Sequence, residues 1–333
     1  MTPSRWALVA MGLALVSCTG GDGREPLGAA EPAASPPADR TPVGDVVVVG
    51  PQPEGVVADP ASGLVIVAIR EPDRLVLVDG TTGEQRGVVA LPGHARHLQL
   101  AAPGGPVLVA AEDSNTFLEV SLPDGEVTVR AAVGTYPHDA TAVGGSVVVA
   151  DERGGTLSVV EDGDVQHSFD DVRQPGGVAG LSDGERVGVI DVGDFTLSLY
   201  DVAARRRLAR VVAGEGPTHV VADGRDRLLV ADTRGGAVLV YATDPSLRLV
   251  EEIPVPGRPY GLAYDTERDR LWVTVTERNE VVAFDVAGDA VEVARLATVR
   301  QPNTVAVDPS TGRVAVASRN EGVIQLLDPA MGS

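Results

Sequence analysis

Four of the five histidines in this 333-residue chain lie in short segments that lead into hydrophobic runs: His94, His97, His138 and His219. Imidazole is the side chain best suited to proton transfer near neutral pH, and it is also a common metal ligand. Asp139 follows His138 directly and could orient an imidazole ring as part of an acid–base group. These residue types indicate an acid–base cluster or a metal site, but spacing alone favours a plainer role as polar side chains around a solvated opening.

Three aspartates end hydrophobic runs of similar sequence: Asp151 follows VVVA, Asp191 follows VGVI and Asp232 follows LLVA. A ring of carboxylates could bind Ca²⁺ through oxygen ligands. Recurrence at one position of a repeat instead favours a turn role, in which aspartate accepts hydrogen bonds from backbone N–H groups. The Gly-Gly pairs at 154–155 and 235–236 support such a turn, because glycine readily adopts positive φ.

These residues occupy matching places in a sequence pattern that occurs seven times. Each copy contains a hydrophobic run, a polar turn and further hydrophobic runs, as in PYGLAYDTERDRLWVTVTERNEVVAFD at residues 259–285. A period of about 40–45 residues that holds four short strands is typical of a β-propeller blade. The copies begin at Pro53, Ala95, Pro137, Pro175, Pro217, Pro259 and Pro302.

The sixth copy shows how one blade is divided into strands. Its four predicted strands, separated by turn-forming residues, are Gly261–Tyr264, Leu271–Val275, Val281–Phe284 and Val291–Leu296. The seventh copy ends at Asp328 after only three strands, and residues 44–49 match the missing fourth. We therefore expect an all-β, seven-bladed β-propeller of four-stranded blades. An N-terminal strand would complete the last blade and remove exposed sheet edges.

The repeated unit P-x-G-φ-A-x-D … L-x-V-A … V-x-V-x-D resembles the YVTN-type and NHL-like seven-bladed propellers over residues 44–328. Its motif residues are structural, so the resemblance implies a fold and no particular activity. No copy carries the Gly-His and Trp-Asp pair of WD40 blades. Only Trp272 of the two tryptophans lies in the repeats, which disfavours a quinone-dependent dehydrogenase propeller. We assign residues 44–330 to the propeller domain.

The N-terminus has the layout of a bacterial export signal over residues 1–17. Arg5 supplies a positive charge, and Trp6–Leu15 form an apolar stretch shorter than the roughly 20 residues that span a bilayer. Leu15-Val16-Ser17-Cys18 resembles the lipobox of bacterial lipoproteins, which implies cleavage before Cys18 and lipidation of its thiol. The alternative is an ordinary secretory signal with an incidental cysteine. Cys18 is the only cysteine, so an intramolecular disulfide is excluded.

Residues 18–43 are rich in Gly, Pro, Ala and acidic residues and lack apolar periodicity, which predicts a flexible tether. Together with the lipobox, the tether predicts a monomeric domain held by a lipid anchor on the outer side of the cell membrane. The chain has 47 acidic and 27 basic residues, a formal net charge of −20. This charge repels phosphate backbones and disfavours nucleic acid as a partner.

In a propeller, two kinds of loop surround one mouth of the central channel. Lead-in loops run from a fourth strand to the next first strand, and the others join second to third strands. Polar residues gather in both kinds, including Arg70, Glu112 and Asp113 in the second kind, whereas the rest of the repeat is uniform. Binding is therefore expected at this mouth. The candidate residues of the lead-in loops are Glu54, Arg96, His97, His138, Asp139, Thr218, His219, Tyr260 and Asn303.

Two classes of function are compatible with this arrangement. A lipid-anchored propeller would bind an extracytoplasmic protein, peptide or cell-wall ligand through its mouth. Alternatively, it would be a lactonase-like hydrolase or a lyase of the kind found on similar propellers, which usually hold a divalent metal in the channel. The chain contains no nucleophile elbow, P-loop, dinucleotide motif or C-x-x-C-H haem motif. A binding module is thus favoured over an enzyme or a redox accessory, and a channel metal is the one cofactor considered.

Overall fold

The structure, a computed structural model, describes Met1 and residues 28–328. Within these residues the chain forms seven four-stranded antiparallel sheets around a central channel. The predicted seven-bladed propeller is therefore confirmed. Two single-turn 3₁₀ helices, Glu112–Ser114 and Thr276–Arg278, follow the second strands of two blades.

The blades are numbered in chain order, and each runs from the channel outwards. Blade 1 contains β2 (Pro53–Asp59), β3 (Leu64–Ile69), β4 (Arg74–Asp79) and β5 (Gln85–Ala90); blade 2 contains β6 (Leu98–Leu100), β7 (Val107–Ala111), β8 (Thr116–Val120) and β9 (Val127–Ala132); blade 3 contains β10 (Pro137–Val143), β11 (Ser146–Asp151), β12 (Thr156–Glu161) and β13 (Asp164–Phe169). Blade 4 contains β14 (Pro175–Gly180), β15 (Arg186–Asp191), β16 (Thr196–Asp201) and β17 (Arg206–Val212); blade 5 contains β18 (Pro217–Ala222), β19 (Arg227–Asp232), β20 (Ala237–Ala242) and β21 (Arg248–Pro254). Blade 6 contains β22 (Pro259–Asp265), β23 (Arg270–Val275), β24 (Glu280–Asp285) and β25 (Val291–Ala297); blade 7 contains β26 (Pro302–Asp308), β27 (Arg313–Ser318), β28 (Val323–Leu327) and β1 (Asp45–Val48).

Strand β1 closes the ring as predicted. It pairs antiparallel with β28, with Asp45 opposite Leu326 and Val48 opposite Val323. The amide of the buried Gln325 reinforces the closure, because its Nε2 donates to the carbonyl of Val43 at 2.6 Å. The first and last described strands therefore share one sheet, and the two chain ends stabilise each other.

The second and third strands of each blade form the core. All six residues of β3 are buried, whereas β5, an outer strand, alternates exposed and half-buried residues. Aliphatic side chains fill the space between blades, and Trp272 is the largest fully buried side chain. Each buried Val or Leu contributes about 1.5–3 kcal/mol, so the aromatic-poor composition is compatible with a stable core.

The aspartates that end second strands tie their turns to the lead-in loops. The carboxylate of Asp232 accepts hydrogen bonds from the backbone N–H groups of Gly216 at 2.8 Å and Gly235 at 3.0 Å. Asp191 does the same with Arg173 at 2.7 Å and Asp194 at 3.0 Å. The turn role is confirmed for Asp191 and Asp232, whose backbone bonds hold the mouth loops in fixed positions. Asp151 differs, because its carboxylate accepts hydrogen bonds from the hydroxyls of Ser158 at 2.7 Å and Thr156 at 2.9 Å.

Residues 28–40, here called the strap, lie against the mouth loops of blades 5, 6 and 7 without regular secondary structure. Arg234 of blade 5 donates to the carbonyl of Ala29 at 3.0 Å. At the other end, Arg40 forms an ion pair with Glu280 of blade 6 at 2.6 Å. The described part of the predicted tether is thus in contact with the propeller.

The predicted signal segment 1–17 and the lipidation site Cys18 lie outside the residues described, apart from Met1. The boundaries at residues 18, 44 and 330 stay predictions. Among the described residues, no helix has the length and hydrophobicity needed to cross a bilayer.

Candidate functional site

The first strands of the seven blades surround a channel with a volume of about 440 Å³. Alanines such as Ala58, Ala179 and Ala263 contribute much of its wall. Arg96 and His97 of blade 2, together with His219 of blade 5, line its end near the lead-in loops. That end is therefore the polar part of the channel and the place where a ligand would be recognised.

Four rings form a row across this end of the channel, here called the ring row. The ring centroids of His138 in blade 3 and His97 in blade 2 lie 4.8 Å apart. His97 lies 4.7 Å from His219 of blade 5, which in turn lies 4.6 Å from Tyr260 of blade 6. Blade 5 is well around the ring from blades 2 and 3, which argued against a single cluster. The structure nevertheless brings these side chains together over the channel.

Local backbone geometry places these rings near the channel axis. The strand pairing shifts between Pro217 and His219, a β-bulge that redirects the side chains of the blade entrance. Glycines occupy the position of His97 and His219 in three other blades: Gly55, Gly177 and Gly261. A Cβ at Gly261 would lie only 2.5 Å from the carbonyl oxygen of Asn303. The glycines therefore leave the centre of the mouth to the two histidines.

Glu112, in the first 3₁₀ turn, is fully buried at the centre of an ionic cluster. Its carboxylate accepts a hydrogen bond from His138 Nδ1 at 2.7 Å and contacts His94 Nε2. Arg96 Nε lies 3.5 Å and Arg70 Nη2 4.0 Å from the same carboxylate. These five residues, here called the Glu112 cluster, join blades 1, 2 and 3.

Charge pairing sets the protonation states of the Glu112 cluster. Burial alone would raise the pKa of Glu112, but the hydrogen bonds from His138 and His94 hold it well below its usual range. Burial alone would lower the pKa of both histidines, and the Glu112 carboxylate raises it above the ordinary value instead. Glu112 is therefore an anion, and both histidines are stabilised as cations.

His97 and His219 have the opposite electrostatics. Burial, with a smaller contribution from the charge of His138, lowers the pKa of His219 to about 3. Burial and then the charges of His219 and His138 lower the pKa of His97 well below its ordinary value. Both imidazoles are therefore neutral near pH 7. The ring row joins the cationic His138 to two neutral bases.

His219 is also the least satisfied of these side chains. It is only 9% exposed, and neither ring nitrogen has a hydrogen-bond partner among the described residues. Arg96 Nε, on the facing side of the channel, is instead paired with the Glu112 carboxylate at 3.5 Å. Leaving a buried polar group unpaired costs about 1–3 kcal/mol. A polar ligand that supplied the missing partners would recover this free energy.

Glu54 of blade 1 is held by two arginines. Arg70 Nε lies 3.3 Å and Arg319 Nε 3.1 Å from its carboxylate. Because the carboxylate is only 5% exposed and is compensated by two guanidinium groups, it is poorly suited to bind a cation.

Asp139 lies in the channel wall and does not orient His138. Its carboxylate accepts hydrogen bonds from Gln99 Nε2 at 3.0 Å and from the backbone N–H of Val178 at 3.0 Å. Burial raises the pKa of Asp139 to about 6. The expectation that this carboxylate orients a histidine is therefore wrong, because Glu112 bonds to His138 instead. Asp139 links the inner strands of blades 2, 3 and 4.

The remaining candidates lie on a neutral side of the mouth. Thr218 Oγ1 and Thr233 Oγ1 are 2.8 Å apart in blade 5. In blade 7, Asn303 accepts a hydrogen bond from Gln301 Nε2 at 3.0 Å. These side chains are buried, and hydroxyl and amide groups here take the place of the charges on the opposite side.

The described residues contain one group with the spacing of metal ligands. Glu112, His138 and Glu152 offer ligand atoms within 4.8 Å of one another. Two of these atoms already bond to each other, and Gln174 Nε2 donates to Glu152 at 2.9 Å. A divalent cation would have to displace the His138 proton beside the guanidinium of Arg96. These residues therefore do not fit a divalent metal.

The strap covers part of the channel mouth. Glu31 and Pro32 line a small space of about 20 Å³ together with His219 and Tyr260. Such a volume holds about one water molecule. The strap therefore narrows the approach to the ring row from the side of blades 5 to 7.

Two features of this site are not evident from the sequence. Glu112 was recognised as a mouth residue but not as the partner of His138. The sequence signal is the position of the acidic residue. In blades 3 to 5 an aspartate, such as Asp151, is the last residue of the second strand, whereas in blade 2 the acidic residue Glu112 comes one position later, directly after β7. No sequence pattern predicts the hydrogen bonds of Gln301 and Asn279 to the strap, because they involve the backbone of a segment without apolar residues at regular spacing.

No known protein family's sequence profile matches the chain, and no curated protein matches it. Many solved structures are similar. A chain of Kuenenia stuttgartiensis hydrazine synthase superposes with a TM-score of 0.72 at 17% identity, covering 85% of this chain and 97% of that one. Streptogramin B lyase gives 0.71 at 14% identity, covering 85% and 96%. A chain of a mitotic checkpoint complex gives 0.75 at 10% identity, covering 89% and 95%. At such identities the likeness establishes the propeller fold alone.

Proposed function

We propose that this protein is an extracytoplasmic binding module, anchored to the membrane through Cys18, whose ligand is recognised at the ring row. The observation that carries the proposal is His219, a buried neutral imidazole with both ring nitrogens unpartnered at the end of an open channel. Structural polar groups in an interior are normally hydrogen-bonded. An unsatisfied one that faces a cavity is typical of a site that a ligand completes.

The geometry favours a small polar ligand. The guanidinium of Arg96 lines this end of the channel and favours an anionic or carbonyl oxygen, and the neutral His219 provides one donor and one acceptor. His97 and Tyr260 present ring faces and edges on either side of His219. The ligand would therefore carry an oxygen acceptor and a polar edge, and it would bind without a metal.

A thermal-shift screen of the full-length protein tests this function. The probes are defined sets of carboxylates, amino acids, sugars and short peptides, and any hit is measured by isothermal titration calorimetry. We expect His219→Ala to abolish binding of the hit. His167→Ala is the matched control, because His167 lies on outer strand β13. A ligand that bound both variants equally well would contradict the proposed site.

The membrane anchor has its own test. We expect the mature protein to carry a lipid on Cys18, detected by mass spectrometry of the N-terminal peptide, and to fractionate with membranes. Cys18→Ser should leave the protein in the soluble fraction. An unlipidated mature N-terminus would contradict the anchor without affecting the ligand site.

A second candidate function is a lyase or hydrolase that uses acid–base chemistry. It is favoured by the opposite pKa shifts of adjacent rings, since His138 is raised and His97 and His219 are lowered. Such pairs can divide the roles of general acid and general base. The likeness to a streptogramin B lyase is compatible with this function through the fold alone. Turnover of a screening hit, lost in both His138→Gln and His219→Ala, would establish an enzyme; binding without turnover supports the module.

A further inference from the structure

The strap is held by hydrogen bonds to its backbone. The N–H of Ala33 donates to Thr276 Oγ1 at 3.1 Å, and its carbonyl accepts from Gln301 Nε2 at 2.8 Å. The N–H of Ser35 donates to Gln301 Oε1 at 2.9 Å. A single glutamine side chain thus satisfies two strap residues, as a neighbouring β-strand would.

The contacts continue along the strap in the same manner. The carbonyl of Ser35 accepts from Arg300 Nη2 at 3.2 Å, and that of Pro36 accepts from Asn279 Nδ2 at 3.0 Å. Alternate residues Ala33 and Ser35 face the propeller, which is the periodicity of an extended chain. The sequence Glu-Pro-Ala-Ala-Ser-Pro-Pro at 31–37 favours this form, because residues before proline avoid the helical region.

The groove under the strap is preorganised. Thr276, Asn279 and Gln301 are 0%, 4% and 6% exposed. The backbone N–H of Gln301 donates to Asn279 Oδ1 at 3.1 Å, which fixes the orientation of the Asn279 amide. The Gln301 amide is fixed in turn by its bond to Asn303. These groups therefore offer donors and acceptors in set positions to any extended chain.

We propose that Thr276, Asn279, Arg300 and Gln301 form a recognition site for extended, proline-containing peptides, and that the strap occupies it in cis. The groove binds main-chain groups, and the carbonyl of Thr276 also accepts a hydrogen bond from the Ser35 hydroxyl, so a fitting chain is extended and carries small side chains. This site is separate from the ligand proposed for the ring row. No ring-row residue supplies any of the hydrogen bonds to residues 33–36.

Attachment in cis gives the strap a high effective concentration, so a free peptide must compete with it. Residues 28–37 are therefore deleted from the full-length chain to open the groove. The probe is a fluorescein-labelled, N-acetylated peptide EPAASPP, and the measurement is fluorescence anisotropy. We expect the deleted protein to bind the peptide, and the intact protein to bind it at least about tenfold more weakly.

Variants in the deleted protein locate the site. Gln301→Ala should weaken peptide binding by about tenfold or more, because two main-chain bonds are lost. Gln166→Ala, on the exposed face of β13, should have no effect. A folded, deleted protein that does not bind the peptide, or that binds a heptaglycine peptide equally well, would overturn the proposal.

Hydrogen–deuterium exchange of the intact chain gives a second test that does not depend on the deletion. The amides of Ala33 and Ser35 should exchange slowly in the wild-type protein and in Gln166→Ala. In Gln301→Ala their exchange should be at least about tenfold faster, because the Ser35 N–H loses its acceptor. Equal exchange rates in all three proteins would show that the groove does not hold the strap.

Discussion

The two sides of the channel mouth accommodate buried polar side chains in different ways. On the side of blades 1 to 3, the fully buried Glu112 is surrounded by two histidines and two arginines. On the side of blades 5 to 7, His219 is neutral and lacks any hydrogen bond among the residues described. Both sides bury polar groups, but only the first pairs its histidines with a carboxylate.

This difference assigns different roles to the two sides. Removing one partner of a buried ion pair strongly destabilises the folded protein. The Glu112 cluster therefore holds blades 1 to 3 together. The unpaired nitrogens of the His219 imidazole persist at a free-energy cost. The charged side therefore supports the mouth, and the neutral side contains the imidazole on which the proposed ligand site rests.

The largest expected effect is on the charged side. Glu112→Gln removes the buried carboxylate that His94, His138, Arg70 and Arg96 share, which should lower the free energy of unfolding by about 3–5 kcal/mol. Urea denaturation followed by circular dichroism measures it. Glu126→Gln, in the turn before outer strand β9, is the matched control and should change stability by less than about 0.5 kcal/mol. Equal effects would mean that the cluster has no structural role.

The pH dependence of stability should differ in sign between the two sides. The pKa of His94 and His138 is raised in the folded protein, so their contribution is complete below pH 6.5 and is lost as pH rises through the raised values. The pKa of His219 is lowered to about 3, so stability falls as pH drops from 6.5 towards that value. Each group contributes a slope of up to about 1.4 kcal/mol per pH unit.

Urea midpoints between pH 4.5 and 8.5 separate these contributions. His219→Phe should flatten the acid side of the profile relative to the wild-type protein, and His138→Gln should flatten the alkaline side. Profiles that moved in parallel for both variants would contradict the assignment of a neutral and a cationic histidine.

The smallest expected effect is on the neutral side at neutral pH. His219→Phe keeps a ring against Tyr260 and removes two unpaired nitrogens, so stability should rise by about 1 kcal/mol. Ligand binding should be lost at the same time. Thermal unfolding at pH 7 measures the first effect, with His167→Phe as the control. A marked loss of stability would indicate that His219 has a structural partner.

The sequence predicted the repeating parts of the molecule well. Six of the seven predicted start positions are the first residues of first strands; only Ala95 differs, because β6 begins at Leu98. Closure by β1 was predicted from strand counting, and the turn role of Asp232 from recurrence. These features depend on local patterns of hydrophobic and turn-forming residues, which each copy repeats.

The contacts across the channel could not be predicted. His97 and His219 are far apart in the chain, and their meeting depends on channel width and on the bulges at the blade entrances. The pairing of Glu112 with His138 depends on how neighbouring blades pack. The strap was expected to be a free tether because its composition lacks apolar periodicity, whereas its backbone makes the observed contacts.

The position of the strap directly before β1 has a mechanical consequence. Any pull on the chain N-terminal to residue 28 acts first on the hydrogen bonds of the strap and on the ion pair between Arg40 and Glu280. Only after these have broken does the force reach β1, whose pairing with β28 closes the ring. The strap therefore protects the closure of the ring: a force applied to the N-terminal end of the protein detaches the strap before it can separate β1 from β28.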